Sequence, residues 1–166
     1  MVIIMYYKIV TEWSFFTYLY HTDTNIFDIP CGTVFTAPYK NTQKSNNKKI
    51  MIHKSCFHFS EGAFDTMLWY DKLSKYAFKT QIYRIEPFGN VKKARCKDEE
   101  GFYQCGAPKI KIMEKQNLDE MYDLAVKEYC ANRDRYKNFQ IDIDLWKEHK
   151  STIFSLYESY CGKIMR

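Results

Sequence analysis

Polar side chains that could take part in chemistry follow two aromatic runs in the first half of the chain. His21 and Thr22 come directly after one run, and Ser60 follows Phe59 at the end of the other. Runs of this type predict β-strands, and a strand end is where a sheet usually delivers a polar side chain to a cleft. A histidine exchanges protons near neutral pH, although a histidine at a strand end is more often a half-buried polar cap. These residues are the first candidates for a binding site.

Metal chemistry and nucleotide hydrolysis have little support in the sequence. Cys56 and His58 lie two residues apart on one face of a predicted strand, but a metal site needs two further ligands and no spacing supplies them. A cysteine hydrolase could combine His58 with any of six thiols, and nothing singles one out. The chain has no G-x-x-x-x-G-K-S/T loop, no G-x-G-x-x-G turn and no H-E-x-x-H helix. We therefore predict no metal site.

Length and composition indicate one ordinary domain. A chain of 166 residues is long enough to bury a single good core. Its aromatic content of 17% is high, so several rings must find edges, grooves or partner surfaces. The formal net charge of +5 permits an anionic ligand, such as a dinucleotide or a nucleic acid, without requiring one.

The cysteines and the first residues bear on location. Six cysteines without a C-x-x-C pair indicate reduced, mostly buried thiols in a cytoplasmic protein. The apolar residues 1–5 have no basic segment before them and reach Lys8 too soon for a signal peptide or a membrane span. We expect a strand there and no membrane partner.

Hydrophobic periodicity predicts strands in the first two thirds of the chain and helices after them. Strands are expected near residues 2–8, 16–21, 32–36, 55–59, 80–86 and 109–113. Ser60 has the properties of an N-cap, with Glu61 in the first turn of an amphipathic helix over residues 61–76. The polar, basic residues 40–49 show no periodicity and predict a solvated loop.

Two further helices are predicted near the carboxyl end. Asn117 with Glu120 three residues later resembles a capping box, and the apolar face of that helix comprises Leu118, Met121, Tyr122, Ala125 and Tyr129. The next helix begins near Asp144, with an apolar stripe formed by Trp146, Ile153, Tyr157, Tyr160 and Ile164. We expect this stripe to pack on the sheet or on the helix before it, because an exposed stripe of this size would be an aggregation or partner surface. The chain is therefore divided into residues 1–115 and a helical extension over residues 116–166.

Several of these segments together resemble a known family. The order is a strand ending in His21, an aromatic strand end followed by a helix with Asp65 and Trp69, and then the strand I-Y-R-I-E-P at residues 82–87. This order resembles the ADP-ribosyltransferase fold, and most of all the rifampin ADP-ribosyltransferase family, over residues 17–113. The resemblance implies an α+β fold of two packed antiparallel sheets, to which the helical extension is added.

The resemblance also implies a cofactor and its contacts. NAD would lie in the cleft between the sheets, with His21 bonded to the adenosine ribose and backbone groups at Thr22 holding the nicotinamide amide. Phe59 would stack on the nicotinamide, with Ser60 beside it. The activity implied is transfer of ADP-ribose to an acceptor, which is a small molecule or a macromolecule such as a protein or nucleic acid.

The catalytic carboxylate implied by the resemblance falls in an unusual sequence context. The positions a few residues past the Glu-Pro pair hold Lys92 and Lys93, and Asp98, Glu99 and Glu100 follow them. These three acids are the catalytic candidates if the loop is longer here. A carboxylate would stabilise the oxocarbenium-like species formed when the glycosidic bond of NAD breaks. The plainer interpretation is a solvated acidic turn.

A non-enzymatic function is the alternative from another class. The same segments resemble small phage-type domains that share a Cys-Phe-His strand, here residues 56–58, and that resemblance implies no activity. The chain would then be an inhibitor or a nucleotide- or protein-binding module. Basic residues within 40–54 and 92–97 could bind single-stranded nucleic acid through phosphate contacts and aromatic stacking. Such runs are, however, more often solvated loops.

Overall fold

The structure, a computed structural model, describes residues 3–11, 28–36, 57–73, 80–89, 91–95, 103–136, 144, 146 and 147. Over these residues the chain is α+β, as the sequence predicts. The strands are β1 (Tyr6–Thr11), β2 (Val34–Thr36), β3 (Phe57–Glu61), β4 (Thr80–Phe88), β5 (Lys92–Arg95), β6 (Tyr103–Ala107) and β7 (Lys109–Lys115). The helices are α1 (Ala63–Leu73), between β3 and β4, and α2 (Leu118–Ala131), after β7.

The described strands form one sheet in the order β2-β7-β4-β1-β3-β6-β5, and every neighbouring pair is antiparallel. Strand β1 pairs with β4 along its whole length, from Tyr6 opposite Ile85 to Thr11 opposite Thr80. Its pairing with β3 covers only Tyr6 and Tyr7. The described strands therefore form one sheet with a short junction between β1 and β3. The prediction of two separate packed sheets is not confirmed. The twist that adjacent strands accumulate explains how β1 and β3 can separate after two residue pairs.

The hairpin of β5 and β6 was not predicted. Lys92, Lys93 and Arg95 give β5 no apolar alternation, and this is common in an edge strand, where charged side chains prevent pairing with other chains. Strands β3, β4 and β7 confirm the predicted strands near those positions, shifted or extended by a few residues. The strand predicted at residues 16–21 lies outside the described residues.

Helix α1 begins at Ala63, so the prediction that Ser60 caps a helix over residues 61–76 was wrong about its start. Ser60 is a strand residue opposite Tyr7, and Gly62 follows the strand with φ of +79°. Glycine adopts this left-handed conformation without steric cost, and the chain therefore turns there from strand to helix. The apolar face predicted for this helix is nevertheless confirmed, because Phe64 and Met67 are completely buried.

Helix α2 confirms the sequence prediction. The Oδ1 atom of Asn117 accepts a hydrogen bond of 3.2 Å from the Glu120 amide, so Asn117 is the N-cap. Met121, Tyr122 and Ala125 are buried, and Leu118 and Tyr129 pack at the edge of the same face. This face of α2 covers α1.

Apolar clusters lie on both faces of the sheet, because β1 alternates its side chains between them. Tyr7 and Ile9 point toward the helices, whereas Val10 points to the other face. The helix-side cluster contains Tyr7, Ile9, Ala63, Phe64, Met67, Tyr70, Ile82, Met121, Tyr122, Ala125, Tyr136 and Trp146. The inner cluster contains Val10, Ile29, Phe57, Phe59, Tyr83, Ile85, Cys105, Ala107, Ile110 and Ile112. Strands from both sides of the junction thus share the inner cluster.

Trp146 connects the predicted carboxyl-terminal stripe to this core. The indole is 4% exposed, its ring centroid lies 5.5 Å from that of Phe64, and its Nε1 atom donates to Asp71 at 3.1 Å. Packing of the stripe on the helices is confirmed for Trp146. Ile153, Tyr157, Tyr160 and Ile164 lie outside the described residues.

Candidate functional site

The residues predicted to bind NAD fall into two groups in the structure. Phe59 and Ser60 lie on β3, directly beside the junction with β1. His21 and Thr22 lie outside the described residues, as do the catalytic candidates Asp98, Glu99 and Glu100. The three acids belong to the connection between the paired strands β5 and β6. The roles assigned to these five residues stay predictions.

Phe59 is part of the inner cluster. Its side chain is 3% exposed and meets the ring of Tyr6 edge to face, with centroids 5.4 Å apart and planes at 88°. Such a pair is a favourable aromatic contact in a core. As placed, the Phe59 ring offers no free face to a nicotinamide, and stacking there would require the ring to leave the cluster. Phe59 and Ser60 are both buried in this arrangement, and their roles beside NAD stay predictions.

Lys8 occupies the point at which β1 and β3 separate. Continuing the register from Tyr7 and Ser60 would place Ile9 opposite His58, yet the pairing ends before that position. The Lys8 Nζ atom instead donates to the His58 carbonyl oxygen at 2.8 Å, across the gap. The lysine side chain thereby links the two strands beyond their last backbone pair.

The environment of Lys8 disfavours its charged form. The residue is 1% exposed, and its Nζ atom lies 6.0 Å from the centroid of the Phe57 ring. Burial lowers the pKa of Lys8 to about 7, from an ordinary value of 10.5. The apolar site therefore favours the neutral amine far more than water does, as is typical of lysines placed in apolar sites.

The start of α1 is capped from a distant part of the chain. Both carboxylate oxygens of Glu128, on α2, accept backbone bonds of 2.9 Å, one from the Ala63 amide and one from the Phe64 amide. A carboxylate is favourable at a helix N-terminus because it satisfies free amides and complements the helix dipole. Glu128 thus supplies the cap that Ser60 was predicted to supply.

Asp65 lies in the first turn of the same helix. The Ala63 and Phe64 amides donate to Glu128 and not to the Asp65 carboxyl. Asp65 is 1% exposed, and among the described residues neither of its carboxyl oxygens receives a hydrogen bond. Its nearest counter-charge is the Nη2 atom of Arg135, 3.7 Å from Oδ2. Burial raises the pKa of Asp65 to about 7, against an opposing effect of Arg135. A perturbed carboxyl of this type is a candidate functional group on physical grounds.

Lys93 does not lie beside a described catalytic acid. It stands on the edge strand β5, opposite Cys105, and pairs with the Glu61 carboxylate at 3.2 Å. Glu61 is therefore the carboxylate that pairs with Lys93 in the described part of the chain. It comes from the end of β3 and not from the acidic segment after Lys93.

The cysteines differ from the prediction of mostly buried thiols. Of the three described, Cys31 and Cys130 are exposed and only Cys105 is buried. Burial raises the pKa of the Cys105 thiol to about 11, so it is unreactive as a nucleophile at neutral pH. Within the described ranges no group of His, Cys, Asp and Glu side chains has the geometry of a metal site.

Lys8, Asp65 and Glu128 were not selected as functional residues from the sequence. Lys8 did carry a signal, because a charge between Tyr7 and Ile9-Val10 interrupts an apolar strand. Asp65 carried a weaker one, a charge next to Phe64 on the apolar face of a helix. Nothing in the sequence around Glu128 indicates its contact with residues more than sixty positions earlier.

No helix among the described residues is long and apolar enough to cross a membrane. Comparison of the chain with protein-family models, with curated proteins and with solved structures found no match.

Proposed function

We propose that this chain is a non-enzymatic binding module, built on an ADP-ribosyltransferase-like scaffold, that takes a phosphate-bearing ligand of the nucleotide type. The observation that carries the proposal is the position of Phe59 and Lys93. The ring expected to stack on a nicotinamide is packed in the inner cluster, and the position expected near a catalytic acid holds a lysine in a paired edge strand. Both features count against transfer of ADP-ribose and so support a binding function.

The basic edge of the sheet supports the ligand class. Lys92, Lys93 and Arg95 belong to β5, which lies at one end of the strand order that the described residues form. The formal net charge of +5 has the same sign. Basic side chains along an accessible edge attract phosphates, and the resulting affinity falls with salt.

The ligand class is tested by anisotropy titrations of labelled oligo-dT at several salt concentrations. Replacing both Lys92 and Arg95 by Gln should weaken binding and reduce the salt slope by about 0.7 for each lost phosphate contact. The double replacement of Lys109 and Lys111 by Gln, on β7 near the opposite edge, is the matched control and should leave both quantities unchanged. A third variant, with Lys44, Lys48 and Lys49 replaced by Gln, tests the loop predicted at residues 40–49. Equal affinities and slopes for the parent and the β5 variant contradict the proposal for this edge.

An NAD-dependent ADP-ribosyltransferase is the second candidate. The junction between β1 and β3 favours it, because the resemblance implies that NAD lies between two sheets that separate there, with the connection from β5 to β6 supplying the acid. NAD is then the cofactor, and a small molecule, a protein or a nucleic acid is the acceptor.

Nicotinamide release from NAD, measured with and without cell extract as the source of acceptor, decides between the two functions. The binding module should release none, whereas an active transferase should release it and lose that activity when Glu99 and Glu100 are replaced by Gln. Calorimetry with His21→Ala gives an independent measure of the NAD site. That variant should lose NAD affinity if His21 binds the ribose, whereas equal affinity of parent and variant excludes this role.

A further inference from the structure

The residues that follow α2 fold back over the first turn of α1. We call residues 132–136 the 132–136 turn. Its backbone is held by bonds from the Asn132 amide to the Glu128 carbonyl at 3.1 Å and from the Tyr136 amide to the Arg133 carbonyl at 3.2 Å. The Tyr136 ring is buried against Phe64, with centroids 4.0 Å apart. The turn thus places Tyr136 against Phe64 and Arg135 beside the Asp65 carboxyl.

The contact between Arg135 and Asp65 is incomplete. Their closest nitrogen and oxygen atoms are 3.7 Å apart, which is beyond the distance of a good charge-assisted hydrogen bond. Glu128 already occupies the amides of Ala63 and Phe64, the donors that a carboxylate in the first helical turn would otherwise use. Among the described residues, an ionised Asp65 in the closed structure is therefore a buried charge that no cation approaches within hydrogen-bonding distance. Such a charge is strongly disfavoured.

Charged and titratable groups from every neighbouring element surround this carboxyl. Arg135 of the turn and Lys93 of β5 favour its ionisation, whereas Glu128 of α2 and Glu61 of β3 oppose it. Burial has the largest effect and raises the pKa of Asp65 to about 7. The two other groups in the set are Cys105 of β6 and Tyr136 of the turn, whose pKa values burial raises to about 11 and about 12. Both stay protonated between pH 5 and 9, whereas the charge of Asp65 changes there.

We propose that the 132–136 turn is a proton-controlled contact, docked on α1 while Asp65 is a neutral carboxylic acid and released when Asp65 loses its proton. Opening the turn lets water reach the carboxylate, and Arg135 can still approach it in solvent. Release also uncovers the Phe64 and Tyr136 rings on the helix layer. The turn then acts as a device that exposes an aromatic surface as pH rises through neutrality.

Amide hydrogen exchange of the turn, followed by NMR on the full chain from pH 5 to 9, tests the proposal. The rates are corrected for the intrinsic pH dependence of exchange, so that they report the opening equilibrium. If Asp65 titrates at its ordinary value of 3.8 when the turn is open, opening should increase roughly fifty-fold between pH 5 and 7 and level off above pH 8. Exchange in the centre of β4 should not follow this profile.

Two variants identify the group responsible, since the chain has four histidines and a histidine side chain ordinarily titrates in this range. Asp65→Asn should make opening of the turn independent of pH. Arg135→Gln should move the midpoint to higher pH, because Arg135 favours the ionised form. Glu114→Gln, an exposed carboxylate on β7, is the control and should leave the profile unchanged.

The proposal is overturned if opening keeps its pH profile in Asp65→Asn or shows none in the parent protein. Should Asp65→Asn fail to fold, the carbon-13 shift of the Asp65 carboxyl in the parent gives a direct reading. Titration near neutrality together with exchange of the turn supports the device, and titration near the ordinary value of an aspartate excludes it.

Discussion

Lys8 and Asp65 are buried ionisable residues whose charged forms the fold disfavours. Their effects on stability have opposite signs. The pKa of Asp65 is raised, so the folded state binds more protons than the unfolded state between about pH 4 and 7, and stability rises as pH falls through that range. The pKa of Lys8 is lowered, so the folded state binds fewer protons between about pH 7 and 10, and stability rises with pH there. Together, these two residues contribute least to stability near pH 7.

Replacing Lys8 by Met should therefore change stability with a sign that depends on pH. At pH 7 the variant escapes a desolvation cost of about 4 kcal/mol but loses the hydrogen bond from Lys8 to the His58 carbonyl, a loss of about 2 kcal/mol. It should be the more stable protein at pH 7 by roughly 2 kcal/mol. At pH 10 the desolvation cost of Lys8 in the parent is smaller by about 3 kcal/mol, because the amine is then partly neutral in the unfolded state as well. The variant should therefore be slightly less stable than the parent at that pH.

Urea unfolding under reducing conditions at pH 7 and pH 10 gives both differences. Lys127→Met, on an exposed position of α2, is the control and should show a difference that does not vary with pH. A constant difference for Lys8→Met as well would mean that Lys8 is hydrated and charged in the folded protein.

At the scale of elements, the connection between β3 and α1 depends on one glycine and one distant carboxylate. Gly62 turns the chain with φ of +79°, and Glu128 closes over it to bind the first amides of the helix. A Cβ atom at position 62 would lie 3.0 Å from the Glu128 Oε2 atom. The requirement for glycine at this position is therefore both conformational and steric.

Gly62→Ala and Gly32→Ala separate these two requirements. Gly32 also has a positive φ, +90°, but a Cβ atom there would meet nothing within 4 Å. Gly32→Ala should cost about 1 kcal/mol, the strain of a left-handed alanine. Gly62→Ala should cost about 3 kcal/mol, because Glu128 must also move from the helix amides. Equal losses of unfolding free energy in the two variants would show that the Glu128 cap tolerates the added methyl group.

At the scale of the whole molecule, the carboxyl-terminal part of the chain contributes to the core of the sheet and helix layers. Tyr136 and Trp146 both belong to the helix-side cluster, and Phe64 contacts both rings. The division into residues 1–115 and 116–166 remains a description of the sequence. In the structure, α2 and Trp146 cover α1, and the helix-side cluster contains residues from both parts.

Truncation after Arg135 should accordingly yield a molten or insoluble protein. Loss of a buried aromatic side chain typically costs 3–5 kcal/mol, and two such losses approach the total stability of a domain. Truncation after Lys147 keeps both rings and is the matched control. Near-ultraviolet circular dichroism and dye binding distinguish the outcomes. A well-folded, monomeric Arg135 truncate that had lost affinity for a partner would instead make the removed segment a recognition element.

Contacts between residues close in the chain were determined by the sequence itself. Asn117 caps α2 through Glu120, three residues away, and Met121, Tyr122 and Ala125 follow the helical period, so local pattern was sufficient. The same holds for the α+β class and for β4 and β7, whose apolar residues stand out from their neighbours. Strand β5 could not be found in this way, because an edge strand needs no apolar alternation.

Only the tertiary structure decided which polar residues became buried and what they contact. The Lys8 amine meets a carbonyl fifty residues later, and Glu128 reaches amides more than sixty residues earlier. Such contacts depend on where β1 separates from β3 and on how α2 lies over α1. The spacing of nearby residues in the sequence predicts neither arrangement. The same packing places the Phe59 ring in the inner cluster, whereas the sequence resemblance implied a ligand-stacking role for it. Burial is a collective property of the folded chain, and the perturbed pKa values of Lys8 and Asp65 follow from it.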